Sequence, residues 1–424
     1  MRFPVRTRLL VLAALLACVP VRSAPDRDAV HWLPVQDVAS GGGTKGPWRQ
    51  NDSQYDYVDD GTLAFLPGGG LAVAWVDQRR KEVLLRVFTP GGRGHGAPVD
   101  VSRSPDTFSW MPRIATGGPD TLHLLWQEII FSGGAHGGEI LYARSLDGGR
   151  SFSQPVNLSR SRGGDGKGRL DRATWSNGSL DLAVGADGKV YAAWTEYDGA
   201  LWLARSRNGG RSFTPPQRIA GDDALPARGP ALALDKGGTL YLAWTVGEDP
   251  DADIRVSRSP DGGASFSPPV LVGARGGRAD APRLAFDGGG RLHLVYMEGT
   301  GKQPAAIRHA RSEGPGLAFG APRTLSAPDE AAIAPQLAAD AQGRVHIAWE
   351  SARGLRYTRD AGAALAAPMT VPHSAPDAGR QGSQQSLLGK KLAAGDRMVA
   401  LVNSSLAQGY GSRIWLMRGR VPDS

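Results

Sequence analysis

Cysteine is nearly absent from this sequence: among its 424 residues there is one, Cys18, close to the N-terminus. A disulfide framework and thiol chemistry are therefore excluded from everything that follows it. No dense Lys/Arg run is interleaved with aromatic residues, so we do not expect a nucleic-acid partner despite a formal net charge of +8. After residue 23 no long stretch repeats with a 3.6-residue period, which excludes a bundle of amphipathic helices.

Long hydrophobic runs are also missing, except at the N-terminus. An apolar run at 9–21 follows three arginines, and this order predicts a signal peptide over residues 1–23. Residues 15–18 resemble a bacterial lipobox, which would leave a lipidated Cys18 at the mature N-terminus; cleavage after Ser23 is the alternative. We expect an exported protein, whether periplasmic, secreted or an outer-membrane lipoprotein, that contacts a membrane only through this lipid anchor.

Glycine and proline, in contrast, are abundant, with 58 and 30 copies, and short strand-like runs lie between them. This composition is typical of an all-β chain. One eight-residue pattern occurs three times within it, as SLDGGRSF at 145–152, SRNGGRSF at 206–213 and SPDGGASF at 259–266. A pattern that recurs at the same place in a longer unit indicates a repeat architecture.

Each copy of the pattern predicts a tight hairpin. The Asp or Asn accepts hydrogen bonds from backbone N–H groups just ahead of it, the paired glycines supply positive φ, and the Phe anchors the turn. Asn can replace Asp because the turn uses the side-chain oxygen and not its charge. The residues with this structural role are Ser145, Asp147, Gly149, Phe152, Ser206, Asn208, Gly210, Phe213, Ser259, Asp261, Gly263 and Phe266.

The pattern resembles the Asp-box, or BNR repeat, of the sialidase-like β-propellers. The resemblance implies that residues 24–424 form a single β-propeller domain, in which the boxes stabilise hairpins and do not act on a ligand. A propeller of this length is reasonable as one domain because each blade packs mainly on its neighbours.

The repeating unit can be counted from the aromatic residue that ends its second strand. This residue recurs at intervals of 50 to 53 residues, apart from one step of 194 − 126 = 68, and a seventh, eroded unit contains 398–402. We predict seven four-stranded blades, with the N-terminal segment 33–38 as the closing strand of the last blade; six blades, as in sialidases, is the alternative. The six aromatics are Trp75, Trp126, Trp194, Trp244, Tyr296 and Trp349.

Strand direction decides which residues share a face of the propeller. Because neighbouring strands are antiparallel, the start of the first strand and the end of the second lie opposite the boxes, and this face resembles the ligand face of sialidase-like propellers. The candidate catalytic groups there are three carboxylates and a tyrosine: Glu128, Glu196, Glu298 and Tyr197. The candidate substrate-binding groups suit an acidic or hydroxyl-rich ligand: Asp77, Arg113, Arg172, Trp175, Arg228 and Arg283.

The longest connector, 159–179, lies on this same face between the second and third units. A long glycine-rich loop in a compact domain is typically functional or disordered. We therefore predict a lid or specificity loop that presents Arg169, Arg172 and Trp175 to the ligand.

The catalytic residues of sialidases do not carry over to this sequence. The segment 55–62, where the family has its first carboxylate-binding arginine, contains no arginine, and Gln384 and Gln385 stand where the family has its tyrosine nucleophile. We do not expect exo-sialidase activity. The predicted function is that of a monomer which binds, and in one interpretation hydrolyses, a glycan or another polar polymer; the alternative is a non-catalytic binding or assembly module of the cell envelope.

No cofactor or metal is predicted. His123, His293 and His346 occupy one slot in three units, and equivalent slots point away from one another around a ring, so we interpret them as structural. Alternating aspartates at 249, 251 and 253 resemble calcium ligands, but no Gly follows where a calcium loop turns, which leaves a calcium site only as the alternative.

Overall fold

The chain folds as a ring of β-sheets. The computed structural model describes residues 30–47, 49, 52–104, 106–132, 135–160, 179–196, 199–222, 224–247, 252–273, 277–299, 305–314, 316–360, 364–374, 381–382 and 389–422. Within these residues no helix is long and apolar enough to span a membrane. The predicted signal peptide lies outside the described residues, as do Tyr197, Arg169, Arg172 and Trp175.

The strands follow one another in chain order around the ring. Four short strands come first: β1 (His31–Trp32), β2 (Gln36–Gly41), β3 (Thr44–Lys45) and β4 (Tyr55–Asp56). Blade 1 contains β5 (Val58–Phe65), β6 (Leu71–Asp77), β7 (Glu82–Phe88) and β8 (Gly94–Asp100), and blade 2 contains β9 (Phe108–Thr116), β10 (Leu122–Ser132), β11 (Ala135–Ser145) and β12 (Val156–Asn157). Blade 3 contains β13 (Leu180–Val184), β14 (Val190–Thr195), β15 (Leu201–Ser206) and β16 (Gln217–Ala220), and blade 4 contains β17 (Ala227–Leu234), β18 (Leu240–Val246), β19 (Asp253–Ser259) and β20 (Val270–Leu271).

The remaining three blades repeat the plan. Blade 5 contains β21 (Arg278–Phe286), β22 (Leu292–Gly299), β23 (Ala306–Arg311) and β24 (Arg323–Thr324), and blade 6 contains β25 (Ala332–Ala339), β26 (Val345–Ser351), β27 (Gly354–Arg359) and β28 (Met369–Thr370). Blade 7 contains β29 (Gln381–Gly382), β30 (Leu392–Ala394), β31 (Met398–Ala407) and β32 (Gly411–Arg420). Each of the first six blades is a four-stranded antiparallel sheet in which consecutive strands are neighbours.

The ring is closed by the N-terminal end of the propeller. β2 pairs with β32 of blade 7, from Gln36 opposite Leu416 to Gly41 opposite Ser412, and β1 pairs with the far end of β32. The prediction of seven blades with an N-terminal closing strand is therefore confirmed. Closure of this kind joins the two ends of the chain by strand hydrogen bonds, and it leaves no unpaired first or last blade.

Apolar side chains hold neighbouring blades together. Trp75, Trp126, Trp194 and Trp349, at the ends of the second strands, are almost completely buried. One core cluster contains Leu203 from blade 3 together with Trp244 from blade 4 and other apolar residues of both sheets. The aromatic at the end of the second strand is thus part of the inter-blade core, where its large apolar area contributes most.

The three Asp-boxes have the predicted geometry. In the first, the Ser145 hydroxyl donates to Asp147 Oδ1 (2.7 Å) and accepts from the backbone N–H of Gly149 (2.8 Å), while Asp147 accepts from the N–H of Ser151 (3.0 Å). Burial alone would raise the pKa of Asp147, but hydrogen bonds from Ser151 and Ser145 lower it to about 2. Asn208 makes the same backbone contact, accepting from the N–H of Ser212 at 2.9 Å.

This equivalence predicts different costs for two substitutions. Asp147→Ala removes an acceptor of several hydrogen bonds and should lower the free energy of unfolding by about 1–2 kcal/mol. Asn208→Asp keeps the oxygen that the turn uses, so the change should stay within about 0.5 kcal/mol. Chemical denaturation of both variants measures the difference; equal losses would contradict the equivalence of the Asp and Asn side-chain oxygens in this turn.

A fourth, eroded box occupies the corresponding place in blade 5. Ser312 and Phe319 bridge the hairpin ends, and the Ser312 hydroxyl accepts from the N–H of Leu292 at 2.9 Å. The segment keeps the Ser, the second Gly (Gly316) and the Phe at the box spacing but has lost the Asp and the first Gly. Three intact boxes and one eroded one therefore lie on the same face, at successive blades.

Candidate functional site

A β-bulge recurs in the first strand of five blades, on the face opposite the boxes. In blade 1 Asp59 pairs with Val76 and Thr62 with Ala74, so three steps on one strand match two on the other. The extra residue has positive φ: Asp60, Met111, Gly229, Ala281 and Ala334 have φ between 51° and 60°. Proline follows in four of the five blades and Gly61 in blade 1; proline is tolerated at a bulge because no ladder N–H is needed there.

The bulge places two rows of side chains on the same side of the first strands. In each of these blades, the residue just before the bulge and the residue that resumes pairing after it face partner-strand residues two positions apart. Their side chains therefore point to the same side of the sheet. The row before the bulge contains Asp59, Trp110, Arg228, Asp280 and Ile333. The row after it contains Thr62, Arg113, Ala231, Arg283 and Gln336, and blade 3, which pairs in regular register, places Asp181 there.

The segment 389–391 crosses the channel below the first row. The Gly389 carbonyl accepts from Arg283 (2.8 Å) and Gln336 (2.9 Å), and the Lys390 carbonyl accepts from the Thr62 hydroxyl (3.0 Å). These contacts, with that of Lys390 Nζ to Asp181 (3.2 Å), connect blades 1, 3, 5 and 6 to one segment. The protein's own chain therefore lies at the centre of the ring at this depth.

Lys391 anchors the segment to blades 6 and 7. Its side chain is almost completely buried, and its Nζ lies 2.6 Å from Glu350 and 2.8 Å from Asn403. Its backbone N–H donates to Gln336 Oε1 at 2.8 Å. Sequence analysis had assigned no role to this lysine, because nothing in its local pattern shows which blade it contacts.

The predicted arginines are brought together around the channel. Arg113 and Arg283 are buried and donate to nearby backbone carbonyls, of Pro112 at 3.0 Å and of Pro282 at 2.9 Å. Burial, followed by the proximity of Arg283, lowers the pKa of Arg113 to about 10. Arg228 lies 3.3 Å from Asp280 in the next blade. The structure therefore shows these guanidinium groups inside intramolecular networks, and their contact with a ligand stays a prediction.

The predicted carboxylates each have an intramolecular contact. Glu128 Oε1 accepts from the Trp126 indole N–H (3.1 Å), and Glu196 Oε1 accepts from that of Trp194 (3.0 Å). Glu298 lies 2.9 Å from Arg308. A glutamate two residues after the aromatic thus recurs in three blades, and in two of them it satisfies the buried indole N–H. Burial raises the pKa of Glu128; the catalytic role of all three remains a prediction.

Asp77, at the end of β6, is placed at the rim of the same face. Its Oδ1 accepts from the backbone N–H of Arg80 at 3.1 Å, which closes the turn into β7. Its side chain is half-buried. Its contact with substrate stays a prediction.

Sequence analysis missed an acid cluster at the start of blade 1, formed by Asp59, Asp60, Tyr57 and Lys45. Asp59 and Asp60 are consecutive and buried, and the Ser404 hydroxyl of blade 7 donates to Asp59 Oδ1. Asp60 Oδ2 accepts from the N–H of Met111 at 2.9 Å. Among the described residues, Asp60 Oδ1 and the Tyr57 hydroxyl are buried with no hydrogen-bond partner.

Burial and neighbouring charges shift the pKa values of the groups in this cluster. Burial, and then the neighbouring Asp59, raise the pKa of Asp60 well above its ordinary value, since a second negative charge in the same buried place is unfavourable. Burial also raises the pKa of Tyr57. Lys45 Nζ lies 5.7 Å from the centre of the Tyr57 ring, and burial lowers its pKa although Asp59 and Asp60 act in the opposite direction. Titratable groups perturbed in this way mark candidate functional sites.

The three histidines of the shared slot each contact another side chain, as a structural role requires. His123 Nδ1 lies 2.6 Å from the Tyr142 hydroxyl, and His346 Nδ1 lies 2.6 Å from that of Tyr357. His293 Nδ1 faces His309 Nε2 at 3.0 Å. In the described part of the chain no three side chains of the metal-binding types are grouped as a metal would need; Asp253, from the alternative calcium site, instead contacts Arg255 at 3.0 Å.

Solved structures of several carbohydrate-active enzymes have the same fold. An ulvan lyase bound to a GlcA(1-4)Rha3S ligand matches with a TM-score of 0.56 at 12% identity, over 84% of this chain and 93% of that one. A GH93 alpha-L-arabinofuranosidase of Fusarium graminearum in complex with arabinobiose matches with a TM-score of 0.50 at 15% identity, over 74% and 94%. The NanB sialidase of Streptococcus pneumoniae matches with a TM-score of 0.50 at 9% identity, over 69% and 65%.

These likenesses establish the fold. The chain is a seven-bladed β-propeller. No protein-family model and no curated protein matches it. At such low identity a shared fold does not transfer a reaction, so function has to be argued from the residues of the site.

Proposed function

We propose that this propeller binds a glycan on the face opposite the Asp-boxes, at the acid cluster of blade 1. The observation that supports the proposal best is the pair of buried polar atoms without partners, Asp60 Oδ1 and the Tyr57 hydroxyl. Buried polar groups are nearly always satisfied, so an unsatisfied pair beside Lys45 suits a ligand with hydroxyl groups. Oligosaccharides are the ligands of the ulvan lyase and the arabinofuranosidase of the same fold.

Ion pairing on the rest of the face favours binding as the primary function. Asp280, Glu298 and Glu350 each lie within 3.3 Å of an Arg or Lys nitrogen. Acids paired in this way are oriented by a neighbouring cation, and they suit a recognition surface better than proton transfer.

Hydrolysis is the second candidate function, and Asp60 is the residue that favours it. Its raised pKa keeps the carboxyl group protonated closer to neutral pH than that of an ordinary aspartate. A protonated acid can give its proton to a glycosidic oxygen while water attacks the anomeric carbon. Asp60 would hold the proton, and Lys45 and Tyr57 would orient the sugar.

A glycan array with a parallel hydrolysis screen tests both functions. Asp60→Asn keeps the size of the side chain and the acceptor for the Met111 N–H, so the fold should persist while glycan affinity falls about tenfold or more. If the protein is an enzyme, turnover should fall about 10²–10⁴-fold. Asp187→Asn, in a half-exposed turn on the box face, is the matched control and should change neither.

The same screen separates the acid cluster from the carboxylates singled out by sequence. Glu128→Gln and Glu196→Gln should leave turnover largely intact if both act as acceptors for indole N–H groups. Loss of binding or turnover in Glu196→Gln, with Asp60→Asn like wild type, would move the site to blade 3 and contradict the proposal.

We also propose export, since the leader at 1–23 has the charge and apolar pattern of a signal peptide. Intact mass of the protein from a fractionated cell envelope distinguishes the two mature forms. A chain that begins with diacylated Cys18 would establish the lipoprotein, and one that begins at Ala24 the freely secreted form. A full-length, unprocessed chain in the cytosol would refute export.

A further inference from the structure

A groove of about 740 Å³ opens between blades 5 and 6 on the box face, away from the acid cluster. It runs from the end of β23 to the hairpin that follows β27. Its lining includes Arg291, His309, Arg311, Arg323, Glu313 and Asp360. A cavity of this volume holds a ligand of several rings.

The groove lies where other blades place an Asp-box. Leu85, Tyr142, Leu203 and His309 occupy one slot in the third strands of blades 1, 2, 3 and 5. In blades 2 to 4 the second glycine of the box packs on this slot of the preceding blade: a Cβ on Gly210 would lie 1.7 Å from Tyr142 Oη, and one on Gly263 would lie 2.9 Å from Leu203.

Blade 6 has a shorter hairpin at this position. In blade 2 the Ser153 N–H donates to the Arg144 carbonyl, and eight residues lie between these two. In blade 6 the Ala366 N–H donates to the Arg359 carbonyl in the same way, and only six residues lie between them. His309 lines the groove and keeps 8% of its surface exposed, whereas Tyr142 and Leu203, which pack against box glycines, keep 1% and 0%.

Arg311 stands in the slot of arginines that bind a box elsewhere. Arg144 donates to the Gly209 carbonyl of the next blade at 2.7 Å, and Arg205 donates to that of Gly262 at 3.3 Å. Among the described residues, Arg311 and Arg323 form no ion pair, and both are exposed along the groove. Two guanidinium groups without carboxylate partners favour an anionic ligand.

His309 adds a hydrogen-bond acceptor to these cations. His293 Nε2 lies 3.2 Å from Asp287 Oδ2, and a carboxylate can only accept, so the proton is on Nε2. His293 Nδ1 must then accept from His309 Nε2–H at 3.0 Å. The remaining nitrogen of His309, Nδ1, therefore carries a lone pair and can accept from a ligand hydroxyl.

We propose that this groove is a second binding site, specific for an acidic saccharide such as a uronic acid chain. The carboxylate of the sugar would be bound by Arg311 and Arg323, and a neighbouring hydroxyl would donate to His309 Nδ1. Neutral sugars lack the anion, and simple oxyanions such as sulfate lack the hydroxyl donor. The inference does not depend on the function proposed for the opposite face.

Isothermal titration of the full mature chain with trigalacturonate tests the site, with maltotriose and inorganic sulfate as comparison probes. Wild type should bind trigalacturonate at least about tenfold more tightly than either comparison probe, and added salt should weaken the binding. Arg311→Gln with Arg323→Gln, and separately His309→Tyr, should each weaken it about tenfold or more. Arg207→Gln, which removes an exposed arginine from the box of blade 3, is the matched control and should have no effect.

The outcomes separate this site from the glycan site of the opposite face. Trigalacturonate affinity that is unchanged in Asp60→Asn and lost in the arginine variants supports the groove. Affinity lost only in Asp60→Asn would overturn it and place the ligand at the acid cluster. No binding to wild type at millimolar concentration, or equal binding of sulfate, would also overturn it.

Discussion

Lys391→Met should lower the free energy of unfolding by about 3–5 kcal/mol, the cost of breaking a buried ion pair by removing one partner. The ammonium group contacts both Glu350 and Asn403, and it is almost completely buried. Its loss leaves the Glu350 carboxylate and the Asn403 amide oxygen without their shared donor. The change also loosens the segment that crosses the channel, so we expect a less cooperative transition.

Chemical denaturation of Lys391→Met and Lys390→Met measures this effect. Lys390 pairs with Asp181, but its side chain is 32% exposed, so its removal should cost no more than about 1 kcal/mol. Replacing Glu350 as well, with Glu350→Gln, should recover part of the loss because no unpaired charge remains. Equal stability of Lys391→Met and Lys390→Met would contradict the anchoring role of Lys391.

Acidification below pH 6.5 should destabilise the propeller through its buried histidines. Burial lowers the pKa of His123 to about 4, and burial followed by the proximity of His293 lowers that of His309 to about 3. Above pH 6.5 both residues are neutral in the folded and the unfolded chain. Between pH 6.5 and about 4 the unfolded chain binds protons that the folded chain does not, so the free energy of unfolding decreases as the pH is lowered. For His309 alone this decrease is about 2–3 kcal/mol at pH 4.5.

His309→Tyr isolates this contribution, because blades 2 and 6 already have a tyrosine in that slot. Asp60 has the opposite sign: its raised pKa makes the folded chain the better proton acceptor, so its contribution increases as pH falls. Asp60 is present in both the variant and the wild type, so its contribution cancels in the difference between their free energies of unfolding. Thermal or urea unfolding should show similar stability at pH 7.5 and a variant more stable by about 2 kcal/mol at pH 4.5; parallel pH profiles would refute the buried neutral His309.

Features that depend on local chemistry could be predicted from the sequence. The boxes follow from the requirements of one hairpin, as the identical contacts of Asp147 and Asn208 show. The closing strand β2 follows from a count of strands in the last unit. The eroded box at 312–319 could also have been found, because its Ser and Phe keep the spacing of the other three.

Features that depend on contacts between blades could not be read in the same way. The acid cluster is an exception: Asp59 lies at the start of a first strand, in the slot that Trp110 occupies in blade 2, so strand order alone could have placed it on the face opposite the boxes. The role of Lys391 could not be predicted, since its partners Glu350 and Asn403 lie on two other strands. The sequence likewise shows that Glu128 and Glu196 follow a tryptophan, but not that their carboxylates turn back to the indole N–H.

Hydrogen–deuterium exchange with the tightest glycan from the array is the most direct test of the central claim, that the ligand site lies at the acid cluster opposite the boxes. Protection should appear in 55–62 and 106–113 of wild type and should disappear in Asp60→Asn. Protection confined to the hairpins at 145–152, 206–213 and 259–266, with no change in 55–62, would contradict it.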